Sequence, residues 1–325
     1  MRYCIGLTST TSNFLTILIN LTDYRLDTAP FILTLTKEIH MTLFRTVKQL
    51  IAAHPTSDGD GVKISRVAGF QNSQFSPFLM LDELKSDQSK DYVGGFPPHP
   101  HRGIETLTYM KQGHFQHRDH MGNIGELRGG GAQWMAAGRG VIHSEMPIMT
   151  DGELHGFQLW INQPASQKMT PAKYKDFQPE SIVEVPLHEQ QNSPLRLLAG
   201  EIGVEGKTYQ AALTDTAAEA TVADWAPEYE QSLQFEVPQS HNTLLFVYKG
   251  EMNMDNHTIK QGQLAVLSAG DAVALISAAI PSGVLILSGE PINEPVAHYG
   301  PFVMNTMQEI EQTIQDYNSG VFETY

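Results

Sequence analysis

The chain has 325 residues, of which 21 are Lys or Arg and 36 are Asp or Glu, giving a formal charge of −15. With 41% hydrophobic residues, 18% charged residues, 27 Gly and 18 Pro, the composition is globular and turn-rich, which excludes collagen-like, wholly disordered and coiled-coil chains. The acidic balance repels phosphate backbones, so direct nucleic-acid binding is not expected, and the single cysteine, Cys4, cannot close an intrachain disulfide.

At a rough divisor of ~150 residues per domain, the length predicts about two domains. No stretch reaches ~18 consecutive apolar residues, so no membrane span is expected. Residues 1–40 are rich in Thr, Leu and Ile, with weak periodicity. Arg2 followed by FLTILIN (14–20) loosely imitates an export signal. The apolar run is short and no small-residue cleavage pattern follows it, so a cytoplasmic protein is expected. Met41 opens MTLFRTVKQL, the start of an ordinary domain. The first 40 residues therefore read as an extension, either disordered or the product of a start assigned upstream of Met41. A structured addition is the competing explanation.

From about residue 60 to 165 short strands alternate with glycine turns. KISRVAG (63–69), ETLTYM (105–110), GAQWMAA (131–137), GVIHSE (140–145) and HGFQLWI (155–161) are the candidates. Short strands with turns between them predict an all-β sandwich or barrel, and no strand–helix alternation supports a doubly wound fold. The rhythm repeats from about 195 to 290, in LRLLAGEI (195–202), LQFEVP (233–238), NTLLFVYKG (242–250), QLAVLSAG (263–270) and AVALIS (272–277). YKGEMNMDNHTIKQGQLAVLSAGD (248–271) echoes YMKQGHFQHRDHMGNIGELRGGGAQWMAAG (109–138), which predicts two barrels of one kind. The expected divisions are 1–40, 41–175 and 185–325. Val303, Met307, Ile310, Ile314 and Tyr317 fall at helical spacing, with Thr306 and Glu309 as a capping box and Gly320 as the stop.

Seven of the thirteen histidines lie between residues 99 and 155. In GGFPPHPHRGIETLTYM (94–110), His99 and His101 are two apart, and Pro98 and Pro100 keep the backbone extended, so both rings point to one side. Glu105 continues that parity and is expected to face the same interior. GRGVIHSEMP (138–147) repeats the pattern with His143 and Glu145. A buried histidine is more often a satisfied core residue, and His-x-His alone is a weak signal. Two such pairs on separate strands point instead to three imidazoles and one carboxylate around a divalent metal: Fe, Cu, Ni, Zn or Mn. His117 and His120, in a hairpin, are candidates to line the barrel mouth. His155 reads as core or as support for the site. Trp134, Phe157 and Trp160 read as core, with one of them free to line a pocket. His241, His257 and His298 are isolated, so no second metal is expected.

HPHRGIETLTYM (99–110), HRDHMGNIGEL (117–127), QWMAAGRGVIHSEMP (133–147) and YGPFVMNTMQEIEQTIQDY (299–317) resemble the pirin family of the cupin superfamily, over about residues 41–325. The resemblance implies an all-β fold of two tandem cupin (double-stranded β-helix, or jelly-roll) barrels with a C-terminal helix. It places a metal, Fe(II) first, on His99, His101, His143 and Glu145 of the N-terminal barrel. It leaves Glu105 a supporting hydrogen bond to a histidine. Arg102 and Arg139 are expected to neutralise buried carboxylates nearby. The implied activity is quercetin 2,3-dioxygenase: ring cleavage of a flavonol by dioxygen with release of carbon monoxide, with Glu145 also as base. The expected partners are a phenolic substrate and O2, the expected state a monomer. The alternatives are a metal-containing protein-interaction or transcription co-regulator module and a storage or binding barrel whose metal is structural or absent. A deep aromatic-lined cavity at the metal favours the enzyme.

Overall fold

A computed structural model describes residues 42–149, 151–187 and 193–324, together with the backbone of 5–9 and 15–19. Cys4 and most of the 1–40 extension lie outside the described residues. The chain divides into a unit of residues 1–43 and a unit of residues 44–325. In the first, strands Ile5–Ser9 and Leu15–Ile19 pair antiparallel. Among the described residues, no helix is long and apolar enough to cross a membrane.

The second unit consists of antiparallel sheets in two halves. In the N-terminal half a four-stranded sheet runs in the order Ile124–Arg128, His114–Asp119, Val141–Pro147, Phe96–His101. It faces a seven-stranded sheet ordered Lys173–Phe177, Ala132–Ala136, Ile104–Gln112, Leu154–Asn162, Phe78–Ser86, Val62–Ala68, His54–Asp58. The C-terminal half pairs a seven-stranded with a six-stranded sheet. One strand from the expected 41–175 division belongs to the other half. Val47–Ala52 pairs with Gln263–Leu267 as an edge of the C-terminal sheet, and the Arg45 guanidinium donates to the carbonyls of Pro238, His241 and Ser268.

Each strand read from the sequence is present, within a residue or two at its ends except QLAVLSAG (263–270), whose strand stops at Leu267. LRLLAGEI splits into Leu195–Ala199 and Glu201–Val204 around Gly200. Phe78–Ser86 carries no sequence signal, because seven consecutive residues are buried and no alternation survives. The helix spans Met307–Asn318 with the Thr306–Glu309 capping box formed. Val303, counted in its periodicity, instead lies in strand Phe302–Met304.

The largest apolar cluster lies between the two barrels. Leu81, Leu107, Trp134, Phe157 and Leu159 of the first pack with Leu198, Val222, Leu244, Phe246 and Leu287 of the second. At its edge, Asp224 is 1% exposed. Its carboxylate accepts from Tyr109 Oη at 2.8 Å, Tyr248 Oη at 2.5 Å and Lys111 Nζ at 2.5 Å. A buried carboxylate is tolerable only with such partners. Asp224→Ala leaves two buried hydroxyls and an ammonium without their acceptor. The expected loss is about 3–5 kcal/mol, against a smaller loss for Asp224→Asn, read from urea unfolding midpoints.

Candidate metal centre

The strand Val141–Pro147 lies between two others, and its register builds the site. His143 stands opposite His99 on one side and Asp119 on the other; Val141 stands opposite His101, and Glu145 opposite His117. Side chains of one parity in all three strands therefore share the inner face. Between His143 and Glu145 the pairing slips by one residue, because the strand bearing Pro97 and Pro98 carries an extra residue.

His99, His101 and His143 bring one ring nitrogen each within 4.8 Å of one another, the one such cluster of three or more metal-binding side chains among the described residues. His101 and His143 are 2% exposed. Burial, with His99 nearby, lowers the His101 pKa to about 3, against a hydrogen bond to the backbone of Pro301. Burial also lowers that of His143, with the other imidazoles adding to the effect. At neutral pH both rings are thus uncharged, and no proton competes for their lone pairs.

The donor set fits a divalent ion. His101 Nδ1 and His143 Nε2 are buried with no hydrogen-bond partner among the described residues. His99 engages the Pro97 carbonyl through Nδ1 at 2.8 Å, which leaves Nε2 for the centre. His143 Nδ1 lies 3.4 Å from His117 Nδ1. Fixing one ring nitrogen so that the other is aimed is how protein metal sites orient imidazoles. The Glu145 carboxylate is outside the three-histidine cluster but lines the same cavity. Thr108 Oγ1 lies 3.0 Å from its Oε1, and Gln158 Nε2 donates to its Oε2 at 3.3 Å.

The cavity is about 700 Å³. His99, His101, Glu145 and Gln158 line it together with Trp160, Phe70, Met80, Phe96 and His298. The Trp160 ring meets His101 edge-on at 5.2 Å, and His298 lies 4.1 Å from Phe70. His298, isolated in the sequence, thus reaches the N-terminal cavity from the C-terminal half. Trp134 and Phe157 belong to the inter-barrel core, and His155 bonds Glu83 at 2.9 Å.

The expectations for Glu105, Arg102 and His120 need correction. Glu105 does not touch a histidine. Its carboxylate accepts from the Trp134 indole at 3.0 Å and the Ala217 amide at 3.1 Å, facing the other barrel. The parity argument failed at Gly103, a positive-φ turn between His101 and the next strand, where a Cβ would collide with the Val303 carbonyl. Arg102 does not neutralise a carboxylate of the site. It binds Asp316 of the C-terminal helix at 2.7 Å and lies over the Phe322 ring. Arg139 is not among the residues lining the cavity; its carbonyl accepts from Arg102 Nε. His120 is not among them either, and its Nδ1 accepts from the Ile142 amide. His117 stays beside the site as the neighbour of His143, its pKa lowered by burial against the pull of Glu145. The sequence reading missed Thr108, Gln158 and Phe70, whose roles depend on pairing between distant strands.

Two tandem antiparallel barrels, with a histidine cluster in the first, define a bicupin with one candidate metal centre. The pirin family model matches residues 61–161 and the pirin C-terminal cupin model residues 222–323. The chain belongs to the pirin family. It is 63% identical over 285 residues to a Vibrio cholerae protein provisionally named a quercetin 2,3-dioxygenase, covering 88% of this chain and 100% of that one. A pirin-like protein of Caulobacter vibrioides is 39% identical over 86% of this chain and 99% of its own. The crystal structure of quercetin 2,3-dioxygenase from Acinetobacter baumannii superposes with a TM-score of 0.78 at 34% identity, covering 86% of this chain and 98% of that one.

Burial raises the Glu105 carboxyl to about 7, against the hydrogen bonds from Trp134 and Ala217. The unfolded chain ionises it from about pH 4.3. Between these values the folded state holds more proton, so this group's contribution to stability is present below pH 4 and is lost as pH rises through 7. The loss is on the order of 3 kcal/mol at 1.36 kcal/mol per pH unit. Denaturant unfolding from pH 4.5 to 7.5 should show this slope in the wild type and not in Glu105→Gln.

Proposed function

We propose that the protein is a metal-dependent dioxygenase of flavonols such as quercetin, with the ion held by His99, His101, His143 and Glu145. The observation that carries this reading is the convergence of three imidazoles, those of His101 and His143 kept uncharged by burial, at one end of an aromatic-lined cavity large enough for a three-ring phenol. The names of the Vibrio cholerae and Acinetobacter baumannii relatives support the same chemistry. The open cavity favours an enzyme over the interaction-module alternative. Fe(II) is the preferred metal, and the donor set also accepts Cu, Ni, Mn or Zn.

A divalent redox metal supplies Lewis acidity toward a phenolate oxygen and the one-electron chemistry that lets a closed-shell phenolate meet dioxygen. The protein's own residues do the rest. Trp160, Phe70 and Met80 give the flat rings apolar walls and limit water. Glu145 takes the proton of the reacting hydroxyl, and its neighbours accommodate both of its states. When it is ionised, Thr108 donates to Oε1. When it is protonated, it donates to Thr108, which turns its own proton to Gln158 Oε1 at 2.5 Å. One hydroxyl proton cannot serve both acceptors at once, so it changes acceptor as Glu145 changes state.

Elemental mass spectrometry on protein purified without a histidine tag should find near-stoichiometric metal that is absent from the His99→Ala, His101→Ala variant. The metal-loaded protein should consume quercetin only in the presence of oxygen. No metal, with reconstitution also failing, would end the oxygenase reading. Glu145→Gln should lower kcat about 100-fold or more while changing substrate affinity only a few-fold. Equal loss of both would remove Glu145 as base.

A further inference from the structure

The floor of the cavity is a row of side chains from adjacent strands. Thr108 pairs with Gln158, Gln158 with Asp82, and Asp82 with Arg66. Thr108 and Gln158 hold Glu145. At about 4.8 Å per strand, Arg66 stands roughly 10 Å across the sheet from Gln158. The row therefore leads from the metal-side carboxylate to a second polar group at the far end of the same cavity. There Arg66 donates to both Asp82 oxygens, through Nε at 2.7 Å and Nη2 at 2.6 Å, and Nη2 also meets Asp58 at 2.6 Å. All three residues line the cavity.

The chemistry of this end is specific. One guanidinium is shared between two carboxylates, so the group carries an excess negative charge and unfilled acceptor lone pairs. It suits ligand O–H donors and disfavours anions. Its flanks are apolar, with Met80, Trp160 and Phe70 on one side and Leu84 and Phe96 on the other. A flat ring can enter between them with its hydroxyls directed at the row. We propose that Asp58, Arg66 and Asp82 form the subsite that selects hydroxyl groups on the part of the substrate remote from the metal, so that the site prefers a polyhydroxylated ring to a bare one. This rests on the flavonol reading above.

Quercetin and galangin test it. Both carry the 3-hydroxyl, and they differ only in the two catechol hydroxyls. The Fe(II)-loaded wild type should favour quercetin in kcat/KM by roughly tenfold or more, since a site built for hydroxyl donors penalises their absence. Asp58→Ala, at a half-exposed position the fold tolerates, and Asp82→Asn should each reduce that ratio several-fold, with quercetin losing more than galangin. A wild-type ratio near one, or a ratio unchanged in both variants, overturns the proposal. If the wild type turns over neither flavonol, the dioxygenase reading fails separately, and calorimetric affinities for the same pair decide the subsite. Tighter binding of quercetin that Asp58→Ala abolishes supports it, and equal affinities overturn it.

Discussion

The central strands of the seven-stranded sheet of the first barrel, Ile104–Gln112, Leu154–Asn162 and Phe78–Ser86, are buried on both faces, and the two faces have different occupants. Residues 105, 107, 109, 155, 157, 159 and 81 face the second barrel, as contacts with Ala217, Asp224 and the shared apolar cluster show. Residues 108, 158, 160, 80 and 82 face the cavity or the Glu145 network. A one-residue slip in any of these strands would exchange the two sets. It would put Gln158 and Asp82 into an apolar interface and Phe157 and Leu81 into the cavity. Packing of the barrels against each other and assembly of the site are thus the same constraint.

The interface supplies the means of fixing that register. Tyr109 and Tyr248 open the two sequence segments that echo each other, and their hydroxyls meet on one buried carboxylate, Asp224. An apolar interface alone would admit small sliding motions at little cost, because hydrophobic contact is not directional. Three donors converging on one carboxylate do have direction, and leaving any of them unpaired is costly. The Glu83–His155 pair, with His155 set edge-on to Tyr248, extends the polar line along the same boundary.

The histidine pairs were legible in the sequence because i and i+2 share a face within one extended strand, and proline on either side of His99 fixes the strand. The echo of residues 109–138 at 248–271 gave the tandem barrels for a similar reason: turn residues recur at fixed offsets. Glu105 was misread because the same parity was carried across Gly103, where the chain leaves one sheet for the other. Gln158, Asp82 and Arg66 were not legible, since their alignment depends on register between strands up to 92 positions apart (66 to 158). Phe78–Ser86, which carries Asp82, lacked even a strand signal because both its faces are covered.

The C-terminal half completes the site as well as covering the sheet. His298, Gly300 and Pro301 line the cavity, and the Pro301 backbone holds His101. Behind the strand that carries His99 and His101, Lys168 is 1% exposed and donates to the carbonyls of Gly103 and Val303 and to Asn162. Arg102, next to His101, reaches Asp316 in the C-terminal helix. The turn that follows His101 is therefore tied to the last strand and the last helix of the chain. A metal site needs its ligands held before the ion arrives, or the cost of ordering them is subtracted from affinity. In this fold the segment from His99 to Gly103 is held from behind by the end of the chain, which explains why the helix and the strand preceding it, far from the histidines in sequence, belong to the same functional unit.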